Sequence, residues 1–301
     1  MNDMEARLAL SQHFEPGDEA VGSAVRRVGA VQVVAALNAG VGPQLGCARD
    51  GPRWDGREAL RAAELESRSA AQLGVRLIAP GDAEWPTQLG DLGDRAPLLL
   101  RSRGPLAMRL ALLRSVAIVG ARACTRYGAA VAEDLAAELA GRGICVVSGG
   151  AFGIDAAAHR GALAGEGPSI AVSAAGVDLP CPRGNALLFE ALNRSGAIVS
   201  EVPIGREPRR HHFLIRNRLI AALTRVVIVV EAGHRSGAGR TAHEAIRQGR
   251  VLAAVPGPIT SAASVGCHEL LRDHMAVMIR GADDVVELLE PIGALLTVES
   301  A

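Results

Sequence analysis

The chain reads as an α/β protein, an extended Rossmann-like, doubly wound and mostly parallel sheet preceded by a small helical domain. Three observations lead there. Apolar, β-branched runs recur at residues 116–119, 144–147, 170–172, 197–199, 226–230 and 252–255, separated by stretches of helical length. The runs are continuously apolar and do not alternate, which marks strands covered on both faces and so parallel strands under helical layers. Residues 128–142 place Val131, Leu135 and Leu139 at four-residue spacing with Glu133, Asp134 and Glu138 turned outward, the pattern of a helix lying on a sheet.

The remaining elements follow in order. Residues 1–70 hold Ala/Leu/Val-rich stretches broken at Gly40-Val41-Gly42-Pro43 and Gly51-Pro52, which predicts the small helical domain. Two short apolar pieces, Val75-Arg76-Leu77-Ile78 and Pro97-Leu98-Leu99-Leu100, flank the turn chemistry of Pro80-Gly81-Asp82 and Trp85-Pro86 and predict short strands leading into the next domain. The Rossmann-like domain is expected over residues 71–291, with 292–301 a tail that carries no winged-helix domain.

Composition narrows the chemistry. The 301 residues are 49% hydrophobic, with 32 basic and 32 acidic side chains, so attraction to an anionic partner must come from local patches. Every basic residue among them is arginine, which excludes a P-loop lysine, a Schiff-base lysine and a lysine general base. An anion site here must be built from guanidinium groups and backbone amides. The five cysteines, Cys47, Cys124, Cys145, Cys181 and Cys267, are scattered and form no C-x-x-C pair, so neither a disulfide framework nor a zinc site is expected, and no cofactor. The acidic N-terminus lacks a basic leader and no apolar run approaches the ~20 residues of a membrane span; a cytoplasmic protein without membrane insertion is expected.

In parallel sheets ligands bind beyond the carboxyl ends of strands, so the residues just after each run are informative. After the first come Gly120-Ala121-Arg122 and Thr125, which offer close backbone approach and a charge, or an ordinary tight turn. The dinucleotide fingerprint G-x-G-x-x-G is absent, which argues against a nicotinamide ligand. After the second, Ser148-Gly149-Gly150-Ala151-Phe152-Gly153-Ile154-Asp155 reads as an anion-binding nest, with Asp155 capping the next helix. His159, four residues on, shares its helix face and reads as a packing partner of Asp155 more readily than a catalytic one. The densest basic cluster, Arg206, Arg209, Arg210, His211, His212, Arg216 and Arg218, encloses Phe213 and reads as a positive surface with a ring for base stacking, or as a solvated loop. After the fifth run, Glu231-Ala232 leads to Arg235-Ser236-Gly237-Ala238-Gly239-Arg240-Thr241, a further loop opening a helix, and the loops should converge on one concave site.

The ordered set Val119-Gly120-Ala121-Arg122, Ser148-Gly149, Gly153-Ile154-Asp155, Ala158-His159, Pro182-Arg183, Ser200-Glu201, Phe213, Arg216-Asn217-Arg218, Glu231-Ala232, Ser236-Gly237, Ala254-Val255-Pro256-Gly257 and Gly266-Cys267 resembles the DNA-processing protein A (DprA/Smf) family over about residues 74–290. The resemblance implies an extended Rossmann-like fold, binding of single-stranded DNA without base specificity, homodimerisation, and delivery of incoming DNA to RecA recombinase during natural transformation. It implies that Gly120, Arg122, Ser148, Gly149, Gly150, Phe213, Arg216, Asn217 and Ser236 line a pocket gripping the phosphate backbone. Thr125, Arg218, Gly237 and Thr241 complete the expected site. Departures are Phe152 where many relatives carry a basic residue, Ala186-Leu187 for a polar or basic pair, Cys181 at an aromatic place, and Gly239-Arg240 before Thr241. No catalysis is expected, for want of lysine, metal-ligand spacing and a nucleophile–base pair. The rival readings are a nucleotide phosphoribohydrolase-like enzyme of the lysine-decarboxylase-like family, with Glu244 catalytic in Gly237-x-Gly239-x-Thr241-x-x-Glu244, and a scaffold with a degenerate pocket.

Overall fold

The computed structural model describes residues 1–42, 54–234 and 236–290; Cys47, Arg235, the tail and the breaks at Pro43 and Gly51-Pro52 lie outside the described residues. Four helices come first: α1 (Asp3–His13), α2 (Glu19–Val28), α3 (Ala30–Asn38) and α4 (Gly56–Leu73). Local chemistry sets their ends. Asn2 and Glu5 form a capping box on α1, Asp18 accepts from the Ala20 and Val21 amides at 3.0 Å, and Asp55 caps α4. Ala6, Leu10, Val21, Ala24, Val33 and Val34 close a small core between the first three.

Then come β1 (Arg76–Ile78), β2 (Leu100–Arg103), α5 (Met108–Ala111), β3 (Ser115–Val119), α6 (Arg126–Gly141), β4 (Cys145–Ser148), α7 (Ile154–Ala164), β5 (Ser169–Val172), α8 (Ala186–Ser195), β6 (Ala197–Ser200), α9 (Arg210–Ala222), β7 (Val226–Val229), α10 (Gly237–Arg247), β8 (Val251–Ala254), α11 (Val265–Arg272), β9 (Val277–Met278) and α12 (Ala282–Leu289). They form a sheet ordered β1-β2-β6-β5-β4-β3-β7-β8-β9, parallel from β6 to β9, with β1 and β2 antiparallel at one edge. Each of the six apolar runs is a central strand. Val116 and Ile118 of β3 face a core with α6, α7 and α12, whereas Ala117 and Val119 face α9 and α10, so both sides are covered.

The strand expected at residues 97–100 lies three residues later. Pro97 has no amide to give a ladder, and the polar segment Arg101-Ser102 is fully buried in its place, paired with β6. That burial is possible because Arg101 is matched. Its Nε and Nη2 donate to the Glu66 carboxylate of α4 at 2.8 Å each, Nη2 reaches Ser11 at 2.8 Å, and Nη1 donates to the Glu201 carbonyl. Glu66 also accepts from the Ile204 amide at 2.9 Å. This cluster fastens the N-terminal helices to the sheet.

Burial opposes the charge on Glu66, but the Arg101 guanidinium outweighs it and holds the carboxyl below its ordinary value. The stability this contributes is complete above the unfolded value of about 4.3 and is lost as pH falls through the lower folded one. Urea denaturation should therefore show Glu66→Ala about 3–5 kcal/mol less stable than the parent at neutral pH, because Arg101 is left buried alone. The gap should narrow below about pH 4, and Glu66→Leu with Arg101→Met should recover much of it.

Candidate functional site

The chain runs from β3 outward through β4, β5 and β6, then returns to place β7 on the other side of β3. At this switch the loops after β3 and β7 diverge and leave a crevice. A cleft of about 630 Å³ opens there, walled by residues 120–123, the Phe213 and Arg216 face of α9, and the start of α10. Of the expected residues it collects Gly120, Arg122, Phe213, Arg216, Asn217, Ser236, Gly237 and Thr241. Arg122 is exposed, with its guanidinium carbon 5.1 Å from the centroid of the Phe213 ring. The side chain of Asn217 makes no hydrogen bond to the described residues.

Arg216 forms the floor. Although it is an arginine, only 7% of it is exposed. Its Nη1 donates to the Gly149 carbonyl at 2.7 Å and to that of Val172, stitching α9 to the carboxyl ends of β4 and β5. A Cβ at Gly149 would lie 2.3 Å from Nη1, so a side chain there would displace the buried guanidinium. Burial pushes the guanidinium pKa down, and the charge of Asp155 opposes this. Burial likewise pushes Asp155 up, against the pull of Arg216 and of the Ala151, Gly149 and Gly120 amides.

Two of the expected anion nests are already occupied by carboxylates of the chain itself. At the start of α6, Glu231 accepts from the Thr125 amide at 2.8 Å and the Thr125 hydroxyl at 2.5 Å, and a Cβ on Gly128 would meet its carboxyl carbon at 2.3 Å. Thr125 therefore caps α6 and serves Glu231, and it is not among the residues lining the cleft. In the second nest the Gly149 amide donates to Asp155 at 3.2 Å. Ser148 donates to the Ile118 carbonyl at 2.6 Å, and Gly150 packs under Phe189, so Ser148, Gly149 and Gly150 lie behind the wall of the cleft. Asp155 is not the helix cap: Gly153 holds that position at φ 77°, and Asp155 sits inside the first turn, where its carboxylate reaches back to the loop. His159 turns away to Ser169 at 2.9 Å, and burial lowers its pKa to about 3, so it is a neutral core residue. At the third, Ser236, the cap of α10, and Gly237 face the cleft, and no carboxylate among the described residues bonds to them.

The basic cluster departs furthest from expectation. Arg218 is fully buried and paired with Glu201 through both terminal nitrogens at 2.6 and 2.7 Å, with Nε on the Arg95 carbonyl; it does not reach the cleft. Arg209, His211 and His212 converge on Glu15 at 2.7–2.9 Å, and Arg206 donates to the Gln12 carbonyl at 3.0 Å. The segment thus docks the N-terminal helices, since in a neutral chain carboxylates across the boundary reach these cations. His212 accepts the Arg209 amide at Nδ1 and meets Glu15 through Nε2. Glu244 is held by Arg95 at 2.8 and 3.1 Å and is not a lining residue. Among the described cysteines, Cys124, Cys145, Cys181 and Cys267 are all free.

Sequence reasoning missed the occupants Glu231 and Asp155. The spacing held the signals: an acid directly after an apolar strand, opposite a glycine in the first turn of a helix, is placed to fill that helix N-terminus. Arg216 and Arg218, two residues apart on one helix, cannot face the same site.

Comparison with known proteins places these features in a family. A putative DNA processing protein DprA of Mycobacterium tuberculosis is 46% identical over 297 residues, covering 95% of this chain and 75% of that one. The solved DNA processing protein A of Streptococcus pneumoniae superposes with a TM-score of 0.75 at 29% identity, covering 97% of this chain and 99% of that one. A second structure, described as the single-stranded DNA binding mode of DNA processing protein A from Helicobacter pylori, matches with a TM-score of 0.64 at 29% identity over 73% of this chain and 97% of that one. The family model for DNA recombination-mediator protein A matches residues 76–290, and the chain belongs to that family.

Proposed function

We propose that the protein binds single-stranded DNA in the cleft, with backbone phosphates at Arg122 and the open start of α10, and an unstacked base against Phe213. The observation that carries this reading is the exposed Arg122 guanidinium poised over the Phe213 ring in the cleft that the start of α10 also lines, which offers cation, amides and aromatic face together. The Helicobacter relative's described binding of single-stranded DNA supports it. Among the described residues that line the cleft the arginines are Arg122 and the buried Arg216, so affinity should draw on stacking and hydrogen bonds as well as on counterion release. Family membership supports a role in DNA processing, and by the same resemblance we infer a cytoplasmic homodimer that hands single strands to RecA recombinase during natural transformation. On this reading the protein acts by binding; the pairing of Glu244, the carboxylate a phosphoribohydrolase would need, with Arg95 supports it over the enzyme reading.

Arg122→Ala should weaken binding of all sequences alike, by on the order of 1.5–3 kcal/mol, and flatten the log–log salt dependence by roughly 0.7. An unchanged poly-dT affinity and slope in a folded Arg122→Ala protein would place the site elsewhere. Arg218→Ala should instead act on folding, losing about 3–5 kcal/mol in chemical denaturation by leaving Glu201 buried and unpaired. Incubation with nucleoside monophosphates should release no ribose 5-phosphate; steady release abolished by Glu244→Ala would give the site to the enzyme reading.

A further inference from the structure

Phe152 is next in sequence to the wall of the cleft. It follows Ala151, which lines the cleft, and 49% of it is exposed. The ring is supported nonetheless. It lies against Gly184, where a Cβ would come within 2.9 Å of its Cζ. The turn beneath is fixed in turn, because Asn185 donates from Nδ2 to the Gly150 carbonyl at 2.9 Å and to that of Ala151 at 3.3 Å. The loop carrying Phe152 and the turn it leans on are therefore tied together, and the ring waits in water already oriented. An aromatic held this way has little freedom left to lose when a planar partner settles on it. The cation on the same turn, Arg183, meets Glu207 at 2.8 Å in an exposed pair.

We propose that Phe152 is a base-stacking platform that takes an unstacked base of the strand whose phosphates lie in the cleft; the proposal rests on the single-stranded DNA reading above. Stacking on a bare ring tolerates any base, since every base has a π-face, and it carries no counterion release. Phe152 and Arg122 would then contribute in separable ways, one through bases and one through phosphates.

The test compares a dT oligonucleotide with an abasic strand of equal length, binding to the parent, Phe152→Ala and Phe152→Trp proteins at several salt concentrations. The parent should prefer dT. Phe152→Ala should reduce that preference by about fivefold to more than a hundredfold with the salt slope unchanged, and Phe152→Trp should restore it. Phe152→Ala binding that keeps the parent's dT-over-abasic preference, or that lowers both strands equally with a flattened slope, would overturn the stacking role while leaving the cleft reading intact. A parent that binds neither strand would overturn the cleft reading, and this proposal with it.

Discussion

The site depends on a buried cation. Arg216 enters from α9, ends under Gly149, and holds the carbonyl ends of β4 and β5 together. That one insertion demands a glycine above it, an acid within its field, which is Asp155, and a helix start that brings Asp155 to the loop. It also fixes the face of α9 that presents Phe213 and Asn217 to the cleft. The crevice that a parallel sheet opens at its switch point thereby acquires a rigid floor.

A neutral chain with only arginine for its basic charge meets a second constraint: its acids compete with any external anion. Glu231 fills the start of α6, Asp155 fills the glycine loop, Glu201 takes Arg218, and Glu15 takes Arg209. The arginine-rich stretch therefore joins the N-terminal helices to the sheet, together with the Arg101–Glu66 pair. In the cleft, Arg122 over its ring, Asn217 and the start of α10 have no carboxylate partner among the described residues. A cleft of this kind discriminates by fit to one backbone and by aromatic surface more than by a broad positive field.

The sheet was legible because its information is local. Val226 to Val229 is a strand in any context that covers both faces, and the turn residues that follow each such run mark the ligand end. β2 was harder to read, because a segment containing Arg101 becomes a buried strand only when Glu66, thirty-five residues earlier, arrives to pair with it. β9, two exposed residues, gives no periodic signal. At the site, residue type and the family resemblance named eight residues that line the cleft, while occupancy depended on contacts between distant elements. Arg122 and Ser236 could be read from position after a strand, but that Thr125 serves Glu231 follows from the packing of β7 beside β3.

The central claim is that two of the expected nests are closed by the protein's own carboxylates and that the third, with Arg122, receives the phosphate. A crystal structure of the protein with a short dT oligonucleotide tests it most directly. A phosphate oxygen should lie at the amides that open α10 and against Arg122, with Glu231 still bonded to Thr125 and Asp155 to Gly149. A phosphate seated at Thr125 or in the Gly149 loop, with either carboxylate displaced, would contradict it.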